Sequence, residues 1–190
     1  MCCLFGLIDY GHSLTVSEKN HILTVLSKKC EVRGTDATGI AYNHDGSLRI
    51  FKRPLPAHKM MWKLKSDTSV VMGHTRMATQ GSEKFNRNNH PFRGTVSGES
   101  FALAHNGMLY NDHSLRWQYN LPKTEIETDS YIAVQLIEKS GDLSFPSLGD
   151  MAEELDGSFT ITVLDERDNL YFILRRGGGA GERIHTPASA

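Results

Sequence analysis

Two hydrophobic runs in this chain are each followed by a partner run after only a few turn residues, and that spacing removes many folds. Residues 39–43 and 48–53 flank Asp45-Gly46, and residues 157–166 and 170–176 flank Arg167-Asp168-Asn169. A parallel pair needs a crossover of about a dozen residues or more, so both pairs read as antiparallel hairpins. Simple βαβ repetition does not fit. Residues 2–8 are nearly all apolar, as in a strand buried on both faces. Residues 69–76, SVVMGHTR, read as a second core strand that ends in polar groups. A helix is expected over 17–29, capped by Ser17 or Thr15, with Ile22, Leu23 and Leu26 on its apolar side. Short helices are expected at 58–65 and 150–155, and a longer one at 129–139 with Asp129 as its cap. Residues 81–100 are polar and rich in Gly, Asn and Ser, and are expected to be mostly loop. Strand character returns at 101–105 and runs into Asn106-Gly107, a strong turn signal. The chain is therefore α+β, and two antiparallel sheets enclosed by helices satisfy the pattern.

Composition narrows the function. A chain of 190 residues with a formal net charge of -1 lacks the basic excess of a nucleic-acid binder. No apolar stretch approaches the ~20 residues that cross a bilayer. The start, MCCLFGLIDY, lacks the basic region and cleavage site of a secretory signal. The three cysteines, Cys2, Cys3 and Cys30, are too few for a disulfide framework and point to a reducing compartment, the cytoplasm. His74, His90 and His105 do not fall in a HExxH or comparable spacing, and adjacent cysteines rarely ligate one metal, so no metal is expected. One domain is expected over 1–176. After it comes GGGAGERIHTPASA, whose three consecutive glycines do not continue a core strand. Residues 177–190 are expected to be a disordered or non-native tail.

Cys2 carries the chemistry. A small residue behind the initiator allows Met1 to be removed, which leaves a thiol and a free amine on one residue. Such an amine has an ordinary pKa near ~8, close enough to neutrality to act as a base. It can take the thiol proton directly or through one water, and the thiolate can attack a carbonyl. Cys3, next in the strand, must point to the opposite face and reads as packing. Cys30, at the end of the first helix, reads as structural. The blocks Arg33-Gly34-Thr35-Asp36, Gly73-His74-Thr75-Arg76, Asn89-His90-Pro91, His105-Asn106-Gly107 and Thr128-Asp129 add polar groups, several at the ends of expected core strands. Unpaired polar groups are costly in a core, so such ends more often line a site.

Taken together, MCCLFG, RGTDATGIA, GHTRMAT, NNHPF, ALAHNG, ETDS and DGSFTITVLD resemble the class II, N-terminal-nucleophile glutamine amidotransferases over roughly residues 2–176. The resemblance implies a four-layer αββα sandwich and a glutaminase. It implies Cys2 as nucleophile with its own amine as base, and an oxyanion held by the Asn106 side chain and the Gly107 N–H. It implies Arg76, assisted by Thr79, at the α-carboxylate of L-glutamine and Asp129 at the α-ammonium. Arg33 would order the surroundings of the cysteine, Asp36 would support the local turn or pair with an arginine, and His74 and His105 would donate supporting hydrogen bonds. No cofactor or metal is implied.

Two positions depart from the family pattern. Cys3 stands where glycine is common, and Met77 stands where one branch has tryptophan. The family usually fuses this domain to a synthase, and the final strands and helices of the glutaminase fold are expected to be missing here. The ammonia would then go to a separate synthase subunit or a missing fused domain. Two rival readings are a silent glutamine-binding or interaction domain and a different N-terminal-nucleophile amidase.

Overall fold

The first strand shows how the chain sorts its side chains. In the computed structural model, which describes residues 2–175 and the main chain of 182–186, β1 spans Cys3–Ile8. Its residues alternate between faces. Leu4 packs into a layer with Ala41, Met72, Ala102, Ala104 and Leu164, between two sheets. Phe5 and Leu7 pack the other way, among Leu23, Ile40, Trp62 and Val71.

Helix α1, Val16–Cys30, lies on that outer face. Of the two candidate caps Thr15 is used. Its hydroxyl accepts the Glu18 N–H at 3.3 Å, and Glu18 reaches back to the Thr15 N–H at 2.8 Å, a reciprocal capping box. The expected hairpin forms from β2, Ala37–His44, and β3, Ser47–Arg53. Asp67 fixes its turn by accepting the Asp45 N–H at 2.8 Å and contacting His44 Nδ1 at 2.8 Å. Strand β4, Val70–Arg76, completes a sheet ordered β1-β4-β2-β3 with antiparallel pairing throughout.

The second sheet runs β5-β6-β7-β8-β9, also antiparallel. Its strands are β5, Phe92–Val96, β6, Glu99–Leu109, β7, Gly157–Asp165, β8, Leu170–Arg175, and β9, Glu182–Thr186. Helices α2, Asp112–Gln118, α3, Tyr131–Ser140, and α4, Phe145–Glu154, cover its far face around Phe92, Phe101, Leu103, Ile132, Leu148 and Ile161. The layers are therefore helix, sheet, sheet, helices, the αββα arrangement.

Several local expectations are corrected. The polar stretch 81–100 contains β5, because Phe92, Gly94 and Val96 turn a buried face inward while Arg93 and Thr95 stay exposed. Only Ala57–Lys59 forms a short 3-10 turn in the expected helix at 58–65. Asn106-Gly107 is not a turn, since β6 runs through it to Leu109. Asp129 does not cap α3. Its carboxylate accepts N–H bonds from Leu109 at 2.9 Å and Ser130 at 2.8 Å. Helix α2 was not anticipated, and α4 begins earlier than 150, at a Ser144 cap followed by Pro146 in the first turn. Within the stretch expected as a tail, β9 pairs with β8 from Leu170↔Thr186 to Leu174↔Glu182. Met1, Arg176 and the rest of the stretch, 177–181 and 187–190, lie outside the described residues. Among the described residues no helix is long and apolar enough to cross a membrane.

Candidate active site

Cys2 immediately precedes β1, and the pairing of Cys3 with Thr75 sets it beside the end of β4. The period of two turns Cys2 and Cys3 to opposite faces. Cys2 joins Arg76, Thr79, His105, Gly107 and Asp129 around a narrow cleft, with Gln80, His90 and Ser130 also in its wall. Residues separated by more than a hundred positions thus meet at one end of the two sheets. A roomier apolar groove lies elsewhere, over Ile40, Phe51 and Trp62, and has no cysteine in its wall.

Burial pushes the Cys2 thiol above its ordinary value, and the Asp129 carboxylate adds to that. The Met77 main chain and the Arg76 guanidinium act in the opposite direction without reversing it. At neutral pH Cys2 is therefore held as a thiol. Attack on a carbonyl from this position requires a base, and the proton has to leave in the same event.

Arg76 is the last residue of β4 and only 3% exposed. Its Nη1 donates to Asn89 Oδ1 at 2.7 Å, and its Nη2 donates to the carbonyls of Gln80 at 2.6 Å and Gly81 at 2.8 Å. The fork is thus fixed from two sides, and two carbonyl oxygens sit where a carboxylate would accept. The Arg33-Gly34-Thr35-Asp36 block supports this strand end through its main chain and Asp36. The Asp36 N–H donates to the Arg76 carbonyl at 3.0 Å, and its carboxylate accepts the Ala78 N–H at 2.7 Å. Gly34 allows the approach, since a Cβ there would lie 2.4 Å from the Arg76 carbonyl carbon. Arg33 itself is exposed and does not line the cleft. The Asp36 carboxylate thus holds the segment that follows β4.

Across the cleft, the two N–H bonds from Leu109 and Ser130 orient the Asp129 carboxylate. Among the described residues no Lys or Arg forms an ion pair with it. Ser130 also meets His105 Nδ1 through its hydroxyl at 2.7 Å. His74 Nε2 donates to the His105 carbonyl at 3.0 Å, tying β4 to β6. His90 stacks between His74 and Phe92, with ring centroids at 4.2 and 4.4 Å. All three histidines are buried. Burial pushes His74 down to about 3 and His105 down to about 4, and it holds His90 well below the usual imidazole range. The cluster is neutral at pH 7, and rings held this low are weak proton acceptors that serve packing and hydrogen bonding.

Gly107 lines the cleft with φ +150, and an added Cβ would meet the Ser158 carbonyl oxygen at 2.3 Å. Glycine alone tolerates this backbone. Asn106 does not line the cleft, but alternation along β6 sets it on the face of Ala102 and Ala104, which is turned toward the first sheet. Of the sequence candidates, Cys2, Arg76, Thr79, His105, Gly107 and Asp129 come together directly. His74 stands behind them through its bond to His105. The sequence reading missed Asn89 as the anchor of Arg76 and Ser130 as the partner of His105. Both sit inside blocks it had singled out, but a block does not say which member holds which.

Comparison with known proteins places the chain in a family. Residues 56–180 match the glutamine amidotransferase domain family. The chain is 31% identical over 201 residues to glutamine–fructose-6-phosphate aminotransferase [isomerizing] of Staphylococcus epidermidis (strain RP62A), covering 100% of this chain and 32% of that protein. The same enzyme of Staphylococcus aureus (strain Mu50) is 32% identical over 206 residues, with the same coverage. The chain thus spans about a third of the length of these curated relatives. In fold, it resembles the allosteric regulatory enzyme of purine biosynthesis, with a TM-score of 0.74 and 19% identity over 97% of this chain and 41% of the other. It also resembles glutamine phosphoribosylpyrophosphate amidotransferase from B. subtilis, with a TM-score of 0.66 and 21% identity over 91% of this chain and 36% of the other. A family pattern that covers well over half of the sequence, on a fold shared with such enzymes, leaves one assignment: the chain belongs to the class II, N-terminal-nucleophile glutamine amidotransferase family, whose members are enzymes.

Proposed function

We propose that this domain hydrolyses L-glutamine to L-glutamate and ammonia through a γ-glutamyl thioester on Cys2. The observation that carries the reading is the meeting of a half-buried thiol, a fixed guanidinium, an oriented carboxylate and a positive-φ glycine at one small cleft. Arg76 and Thr79 receive the α-carboxylate of glutamine, which displaces a carbonyl of the 80–81 segment from Nη2. Asp129 receives the α-ammonium. Recognition at both α-groups selects a free amino acid over a peptide.

The side-chain amide of glutamine then lies beside Cys2. After removal of Met1, the Cys2 α-amine takes the thiol proton and the sulfur attacks the amide carbon. Negative charge gathers on the amide oxygen and is met by the Asn106 side-chain N–H and the Gly107 main-chain N–H. The protonated amine gives its proton to the departing nitrogen, and ammonia leaves. Water attacks the thioester with the same amine as base, and glutamate leaves with the thiol restored. Arg33 and the neutral His74 and His105 hold the surroundings in place. The ammonia passes to a synthase, either a separate subunit or a further domain of a longer protein. A nucleophile that must stay a free thiol suits the reducing cytoplasm.

Intact-protein mass spectrometry before and after a diazoketone analogue of glutamine tests this reading. The expected result is loss of Met1 and one adduct, localised to Cys2. A folded protein that retains Met1, or that is processed and takes no adduct at Cys2, would leave only a glutamine-binding domain.

A further inference from the structure

Behind the nucleophile, on the opposite face of β1, lies a second pair of thiols. Cys3 Sγ and Cys30 Sγ are 2.8 Å apart, closer than unbonded sulfurs ordinarily rest, and both residues are partly buried. A disulfide measures about 2.05 Å between sulfurs, so closing the gap needs a movement of less than about 1 Å. The backbone is already set for it. Cys3 pairs with Thr75 across the sheet, and the Thr75 hydroxyl donates to the Cys30 carbonyl at 3.0 Å. One residue of β4 therefore holds both cysteines. Cys2 faces the cleft instead, and the alternation of the strand keeps it out of this contact.

We propose that Cys3 and Cys30 form a dithiol site that reacts with small-molecule disulfides of the glutathione disulfide class, closing to an intramolecular disulfide and leaving Cys2 free. Burial and the neighbouring thiol push Cys30 up to about 12, which makes it the poor first nucleophile of the pair. Cys3 therefore opens the exchange. Its sulfur attacks one sulfur of the small disulfide, loses its proton, and releases one small thiol. The mixed disulfide on Cys3 is then attacked by Cys30, whose proton goes to the second departing thiolate. Two S–H bonds and one S–S bond are broken, and one protein S–S bond and two small-molecule thiols are formed. The new bond ties the start of β1 to the end of α1, next to the Arg33-Gly34 segment that backs Arg76. This inference does not depend on the hydrolytic reading of Cys2.

The test treats the full chain with glutathione disulfide, blocks the remaining thiols with iodoacetamide, and maps peptides by mass spectrometry. The expected product lacks two hydrogens, shows a Cys3–Cys30 cross-linked peptide, carries the block on Cys2, and reverts with dithiothreitol. Thermal unfolding of the oxidised form should rise by roughly 5 °C, and Cys30→Ser should abolish that rise and carry glutathione on Cys3 instead. Separate glutathione adducts on Cys3 and Cys30 in the wild-type chain, a cross-link that uses Cys2, or no reaction at either cysteine would overturn the proposal. The wild-type peptide map alone decides it if Cys30→Ser does not fold.

Discussion

Arg76 and Asn89 are joined side chain to side chain, Nη1 to Oδ1 at 2.7 Å, with Arg76 only 3% exposed and Asn89 at 0%. Asn89 is held in turn by donating from its amide to the Glu83 carbonyl at 2.8 Å. The guanidinium is thus fixed before any substrate arrives. Asn89→Leu removes this anchor without touching the reacting atoms. The expected outcome in steady-state glutaminase kinetics is a KM for glutamine raised about 10-fold or more, with kcat changed less, the scale of a lost hydrogen bond to a charged group. An unchanged KM would mean that the Gln80 and Gly81 carbonyls alone position Arg76.

The proposed nucleophile and oxyanion groups separate cleanly by readout. Cys2→Ala should abolish turnover while leaving glutamine binding measurable by calorimetry, because Arg76 and Asp129 remain. Asn106→Ala should keep KM near its wild-type value and lower kcat roughly 100-fold or more, as loss of one oxyanion donor does. A normal kcat in Asn106→Ala would remove Asn106 from the mechanism, which is a sharp test because its side chain stands outside the cleft wall in the resting structure.

Acid sensitivity follows from the buried histidines. His74 is held down at about 3 against an ordinary 6.5, and His90 well below that ordinary value, both chiefly by burial. The unfolded chain therefore binds protons in a window where the folded chain does not. The stability associated with these groups is fully present above pH 6.5 and is lost as pH falls from 6.5 toward 3. At pH 5 the loss for His74 alone is about 2 kcal/mol. Melting temperature should fall steeply between pH 7 and 5, and His74→Gln should flatten that slope even if it lowers stability at pH 7. A parallel slope in the variant would show that other groups govern acid unfolding.

What the sequence revealed depends on the kind of physics involved. Alternation alone separated Cys2 from Cys3, because strand geometry leaves two faces, and the faces turned out to be a cleft and a helix contact. Short connections around Asp45-Gly46 and Asp168 fixed both hairpins. Local signals failed where a tertiary contact overrode them. Asn106-Gly107 has turn chemistry, yet pairing with Thr160 and Phe159 keeps it in strand. Asp129 looks like a cap, but its carboxylate is drawn to the Leu109 N–H of β6. The polar stretch 81–100 hid β5, whose buried face holds only Phe92, Gly94 and Val96. The Cys3–Cys30 contact had no local signal, since 27 residues separate the two.

Gly107 links site and stability in one position. Its φ of +150 and the Ser158 carbonyl at 2.3 Å from an added Cβ make any side chain both strained and crowded by backbone. Backbone on the neighbouring strand cannot rotate away as a side chain could, so β6 and β7 would have to part near the cleft. Gly107→Ala is therefore expected to cost about 3 kcal/mol and to lower the melting temperature by roughly 5 °C or more. Gly46→Ala is the control. It also has a positive φ, +64, but nothing lies within 4 Å of an added Cβ, so only the conformational cost of about 1 kcal/mol applies. Differential scanning calorimetry of the two variants separates crowding from strain. Equal losses would mean that the contact with Ser158 relaxes freely, and the case for Gly107 as a position closed to side chains would then rest on its φ alone.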